Sequence, residues 1–411
     1  MKLILRWKEL LSWVTMITII MLTDTVLFTQ NSNSLIITIN SATIILLAAI
    51  SILKICLKTN HLNSDLTLEF VSLICLFITM IVTGEGISSY ALKACLILIS
   101  INIAQSYTLE LFSKRFVAIM RIIAIVSLFT FFFGTQISSM SILPVIISNT
   151  GKIYRTAFFS NICMSAFNRN FGPFWEPGAY QFYLILALIL RHFCINDSKN
   201  IVFDTLVFSL ALVTTFSTTG IIALLAFYVC LALSNQSLKV RYKSLLLLII
   251  AAFTVYVLTN DYANEMIFGK LSQGMQRASV AARVYSNEGL LKVFLQNPVF
   301  GAGMSGTPVL LNQIYGVRVS ITNAILVNFA EFGFIYGVIQ AYFIYKFSLN
   351  IMKDQAKWKV LLCIVSIVLS LVGESFMLSL MVTGVFLLRR ESFTTQSTNK
   401  AVQSNGDFVE L

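Results

Sequence analysis

Two stretches of this chain hold residues whose types and spacing could do chemistry. The first is Asn168-Arg169-Asn170-Phe171-Gly172-Pro173-Phe174-Trp175-Glu176-Pro177-Gly178. Proline is favoured just inside a helix start because its missing N–H would find no partner there, so the sequence predicts a helix from Pro177 with Glu176 as its cap. Such a start presents free backbone N–H groups and the positive end of the helix dipole, a natural anion site. Glu176 then has two readings: a structural cap, or a carboxylate that orients or deprotonates an acceptor. The second stretch is Arg277-Ala278-Ser279-Val280-Ala281-Ala282-Arg283, followed by a helical run from Glu288 to Leu295 and by Asn297-Pro298-Val299-Phe300-Gly301-Ala302-Gly303. Arginines six residues apart on a helix point about 120° apart, so Arg277 and Arg283 do not share a face. Arg283 is expected to lead in binding.

The two stretches fall in loops that hold Arg155, Arg169, Arg277, Arg283 and Arg318 with three lysines. A guanidinium binds phosphate oxygens as a planar fork and keeps its charge at any accessible pH. These loops therefore suit a di-anionic group at a membrane surface; the plainer reading is contact with anionic lipid headgroups. Neither of the two histidines, His61 and His192, lies in them. A zinc site and a Ser-His-Asp triad are excluded there. Gly301, Gly303 and Gly306 spell G-x-G-x-x-G, but a dinucleotide site needs a preceding strand, a following helix and a later acidic residue. A tight turn is the better account.

The elements that must position these residues follow from composition. Of 411 residues 57% are hydrophobic and 11% charged, against about 45–50% and 25% in soluble domains. Apolar runs of helical length occur at 10–28, 35–53, 66–83, 89–107, 116–135, 178–190, 201–216, 220–234, 244–259, 321–345, 359–373 and 375–388. At about 20 residues per span, the expected fold is an all-α polytopic membrane protein of about 12 spans. The closest divisions fall at Gly220 and Glu374. The N-terminal run lacks a small-residue cleavage site and reads as a retained first helix. The odd number of cysteines, seven, implies no disulfide framework.

Lysine and arginine in short loops accumulate on the cytoplasmic side. With the N-terminus inside, twenty of the 29 basic residues fall inside, eight outside and Lys93 within a span. Both termini are thus expected in the cytoplasm. All eight outside charges lie in loops 136–177 and 260–320, and loops of that length are functional or disordered. Their apolar stretches suit packing on the outer membrane surface. One membrane domain over 1–390 and a disordered cytoplasmic tail over 391–411 follow. The net charge of +11 reflects topology; no basic stripe interleaved with aromatics suggests nucleic acid. Among ionisable groups in spans, Glu331 stands deepest and invites pairing with Lys93 or an outer-loop arginine. Gly333 and Gly337 form a small-xxx-small pair suited to helix packing.

These residues resemble a family. The arginine-bearing outward loops on about a dozen spans, the Arg169…Gly172…Glu176-Pro177 helix start and the Arg283…Asn297-Pro298-x-x-Gly301-x-Gly303 stretch are similar to the bacterial O-antigen polymerase (Wzy-type) and O-antigen ligase superfamily. The motifs cover 155–178 and 277–337. The ligases carry His-(Asn/Ser/Gln)-x9-Gly-x3-(Gly/Thr/Tyr) at the last outward helix. Here Thr322-Asn323, Gly333 and Gly337 keep that frame with threonine in place of histidine, which favours the polymerase.

The resemblance implies a metal-independent inverting glycosyltransferase of the membrane type C class, in the bacterial inner membrane, without a cofactor. Its donor and acceptor are undecaprenyl-diphosphate-linked oligosaccharides, and its partners are membrane lipids, a chain-length regulator and a flippase. On this reading Arg169 and Arg283, assisted by Arg155 and Arg277, hold the diphosphate. Glu176 is the base, and Arg318, Glu331 and Asn323 support the site. The alternatives are a ligase-type transferase and a lipid-linked oligosaccharide flippase. A flippase would show two-fold repetition and many charges within spans, and neither is visible.

Overall fold

A computed structural model of the chain describes residues 2–57, 64–166, 169–234, 259, 278–353, 355–374, 376 and 384–389. The helices are α1 (Lys2–Met21), α2 (Ser34–Leu57), α3 (Ser64–Thr83), α4 (Ile87–Ser106), α5 (Leu109–Phe132), α6 (Gly134–Ser139), α7 (Pro177–Phe193), α8 (Ile201–Val213), α9 (Thr218–Ser234), α10 (Ala278–Gln296), α11 (Gly306–Tyr315), α12 (Leu326–Ile351) and α13 (Lys357–Leu371). Among the described residues α2, Asp65–Thr83 of α3, α4, α5 and α12 are long and apolar enough to cross a membrane. Glu9–Met21, α8 and α9 are shorter apolar helices. Against the expected count of 12, the described residues thus give five full-length candidates and three shorter apolar helices. The expected span 244–259 lies outside the described residues save Thr259, as does most of 375–388. The division near Gly220 holds, with α8 and α9 separate helices around the turn 214–217, and α13 ends three residues before Glu374.

The fold is mostly helical, as expected, with one small sheet besides. Within loop 136–177 the strands β1 (Val145–Ile147), β2 (Ile153–Ala157) and β3 (Ser160–Cys163) form an antiparallel sheet in that order. Ile147 pairs with Ile153 across a turn that reaches positive φ at Gly151, and Tyr154 pairs with Cys163. The apolar runs of the loop thus supply β1 and β3. None of the seven cysteines forms a disulfide.

Helix α7 is the centre of the molecule. Every residue from Pro177 to Arg191 is buried, as expected for a helix apolar on all sides, and α5, α8, α9 and α13 pack on it. Gly220 of α9 allows a close approach, since a Cβ there would overlap the Gln181 amide. At the far end of α7 the buried Arg191 donates to Asp204 of α8 at 2.8 Å, and Arg121 of α5 donates to the same carboxylate at 3.0 Å. Buried charges persist when paired in this way.

A second group, α2, α3, α4 and α12, carries the other loop. Helix α12 is broken at Gly333, whose φ of 80° and ψ of −174° leave the helical region. The loop 297–303 takes the freed backbone groups. Ala302 N–H donates to Ala330 O at 2.8 Å, Gly303 N–H to Glu331 O at 3.0 Å, and Phe334 N–H to Pro298 O at 2.8 Å. Irregular backbone at membrane depth survives only where protein satisfies it. Gly301 and Gly303 adopt φ of +72° and +83°, so the glycine motif is a turn. Gly333 meets the Val299 carbonyl, so it packs on a loop backbone and not on a second helix. The Glu85 carboxylate secures the turn, accepting from Ser305 N–H at 3.0 Å and Gly306 N–H at 2.7 Å. Below the break, Lys93 lies buried in the field of Glu331, Glu69 and Asp24, the pairing expected for Glu331.

Candidate functional site

The segment 169–176 is fixed from several sides before it enters α7. Arg169 Nε donates to Thr215 O at 3.0 Å, in the turn between α8 and α9. Asn170 Nδ2 donates to Ser127 Oγ of α5 at 3.1 Å and to Thr214 Oγ1 at 3.0 Å, while Asn170 Oδ1 accepts from Gly172 N–H at 3.0 Å. Gly172 has a φ of +53° and lies against the Tyr180 ring. Tyr154 of β2 donates its hydroxyl to Trp175 O at 2.7 Å, and Val26 N–H donates to Pro173 O at 3.0 Å. With so many contacts, the two side chains that flank this segment, Arg169 and Glu176, are held in register.

Glu176 occupies the cap position with extended backbone, φ −141° and ψ 146°, and Pro177 follows as expected. Its carboxylate makes no capping hydrogen bond. It accepts instead from Lys152 Nζ, carried by the sheet. Glu374, in the turn after α13, lies beside it. A Cβ at Gly178 would overlap the Glu374 carboxylate, so this side chain covers the first turn of α7. Arg283, half-buried on α10, completes the group.

The electrostatics tie these five residues together. Burial and the neighbouring Glu176 charge push the Glu374 carboxyl up to about 8, against the opposing pull of Arg283, Arg169 and Lys152. Burial draws the Arg169 guanidinium below its ordinary range; Glu176 and Glu374 counter this, and Arg283 adds to it. Three cations and two carboxylates thus share the open end of a helix dipole. If one carboxyl is protonated, two positive charges are uncompensated, a match for a diphosphate diester.

Three residues singled out by sequence, Arg169, Glu176 and Arg283, are therefore brought together. The others are not. Arg155 Nη1 donates to Ser138 O and Met140 O, both at 2.6 Å, which fastens β2 to the preceding segment. Arg318 is exposed in the loop before α12. Asn323 caps the start of α12, accepting from Ile325 N–H and Leu326 N–H at 3.0 Å, and donates to Asn287 of α10 at 2.9 Å. Glu331 is buried at the helix break. Arg277 lies outside the described residues. The sequence reading passed over Glu374 and Lys152. The available signal for Glu374 was a carboxylate at a span boundary facing the same side as the arginine loops. Among the described residues no group of three or more histidine, cysteine, aspartate or glutamate side chains is placed to hold a metal ion.

Arginines and carboxylates thus gather at one end of an apolar helical bundle, in a chain whose long apolar helices mark a multi-pass membrane protein. Residues 205–339 match the family model described as O-antigen ligase. The match takes in α8 through most of α12, including Arg283 and the loop seated in the helix break, and supports the O-antigen polymerase and ligase superfamily. No curated protein matches the chain.

Proposed function

We propose that the protein polymerises undecaprenyl-diphosphate-linked oligosaccharide repeat units into O-antigen or a similar surface polysaccharide. It does so on the outer face of the bacterial inner membrane, by inverting transfer with release of polyprenyl diphosphate. The observation that carries this reading is the gathering of Arg169, Arg283, Lys152, Glu176 and Glu374 at the entrance of α7. A lipid diphosphate is already a competent leaving group, so preorganised cations that neutralise its developing charge supply much of the catalysis. The remaining task is removal of the acceptor hydroxyl proton, which falls to a carboxylate of this group. Arg155, anchored in the sheet, then serves to hold Lys152 in place.

The family match favours a second reading, a ligase-type transferase that uses the same donor and passes its glycan to a different acceptor. Thr322 in the position of the ligases' histidine supports the polymerase over it. Incubating the purified protein with lipid-linked repeat units alone separates the two. A ladder of products is expected of the polymerase, whereas a ligase leaves the units single.

A further inference from the structure

Two carboxylates stand at the entrance of α7, and the geometry gives them different tasks. Glu176 is committed to Lys152, and its backbone carbonyl accepts from Ala179 N–H at 3.1 Å and Tyr180 N–H at 3.2 Å. Glu374 makes no ion pair among the described residues and is half-buried. The residues on either side of it are packed against α7 and α9. Gly373 before it lies against Thr219 and Gln181, which are themselves joined by a hydrogen bond of 3.0 Å. Phe376 after it packs on Trp175, Phe182 and Tyr183, with ring centroids 6.1, 5.1 and 6.1 Å apart. The carboxylate between these anchors rests on the backbone of Gly178, within the field of both arginines.

We infer that Glu374 is the catalytic base: it takes the proton of the acceptor hydroxyl while Arg169 and Arg283 hold the donor diphosphate. This rests on the transferase reading above. In the step, the acceptor oxygen bonds to the donor's anomeric carbon, and the bond from that carbon to the diphosphate oxygen breaks. The electron pair leaves with the diphosphate, and the hydroxyl proton passes to the Glu374 carboxylate. Glu176, Arg283, Arg169 and Lys152 are the charged groups that face Glu374. Their balance, with burial, sets its proton affinity at about 8, near neutrality, where a general base is effective.

The test compares wild type, Glu374→Gln and Glu176→Gln as purified full-length protein, with lipid-linked repeat units extracted from producing cells. Binding of undecaprenyl diphosphate alone is measured in parallel. Wild-type kcat/KM is expected to rise with pH through about 8. Glu374→Gln should lower kcat by about 10²–10⁴-fold, lose that rise, and keep its affinity for undecaprenyl diphosphate. Glu176→Gln should keep the rise and move it to lower pH, because a like charge has gone. The inference is overturned if the rise persists in Glu374→Gln, if it disappears in Glu176→Gln, or if Glu374→Gln loses diphosphate affinity along with turnover. A wild-type protein that binds undecaprenyl diphosphate and yields no transfer product removes the transferase reading itself.

Discussion

The carboxylate of Glu374 lies against the Cα of Gly178, in the first turn of α7, although 195 residues of chain separate the two. A glycine is required there by the close approach of a side chain; no unusual backbone angle demands it. This contact couples the turn after α13 to the central helix, and it sets where Glu374 stands relative to Glu176 and the arginines.

Gly178→Ala is therefore expected to displace Glu374 while leaving α7 helical, since alanine favours a helix more than glycine does. A shift of about 1 Å at a reacting group costs up to about 10²-fold. Product ladders from purified Gly178→Ala should be weak at wild-type protein level and melting temperature. A variant as active as wild type would show that the Glu374 position is not needed.

Lys152 faces both carboxylates. Removing its charge withdraws a cation that lowers the proton affinity of Glu374, so Lys152→Met should shift the alkaline rise of kcat/KM to higher pH. A pH profile of the variant checks this. An unmoved profile would place Lys152 outside the field of the base.

The turn seated in the break of α12 makes a prediction about stability. Gly301 and Gly333 combine positive φ with backbone contact: a Cβ at 301 would overlap the Glu331 carbonyl, and one at 333 the Val299 carbonyl. Such backbone conformations cost about 1–3 kcal/mol each for other residues, and here the backbones must also separate. Gly333→Ala and Gly301→Ala should lower the melting temperature in detergent sharply. Gly86→Ala, with open space around it and no positive φ, serves as the control and should leave the protein unchanged.

What the sequence made legible was the part of the site that lies close together along the chain. Pro177 announced a helix start, and Arg169 and Glu176 flank the turn into it, so their roles could be argued from spacing alone. Arg283 followed from residue type and loop placement. The glycine motif read as a turn is one, because Gly301 and Gly303 both need positive φ. Glu374 escaped because its neighbours come from α7, α10 and the sheet, and only the packing of α13 on α7 and α9 brings them near. The sheet was missed although Asn149-Thr150-Gly151 between two β-branched runs is a hairpin signal; in an apolar loop those runs read equally well as membrane-facing patches. Arg155 was consequently assigned to the substrate when its register opposite Val145 commits it to the sheet.

Sidedness has its own test. Thr150 and Arg318 are exposed at the two loops. Thr150→Cys and Arg318→Cys, each in a background without the seven native cysteines, should react with an impermeant thiol reagent added outside spheroplasts. Labelling only after lysis would put the arginine loops in the cytosol and exclude an exoplasmic polymerase.

The central claim is that Arg169 and Arg283 jointly grip a lipid-borne diphosphate. Its most direct test is the affinity of purified protein for undecaprenyl diphosphate, measured for wild type, Arg169→Ala, Arg283→Ala and the double variant. Each single variant is expected to bind at least tenfold more weakly, as loss of a charge-assisted contact worth about 1.5–3 kcal/mol requires, with binding lost in the double variant. Wild-type affinity in the folded double variant would contradict the account.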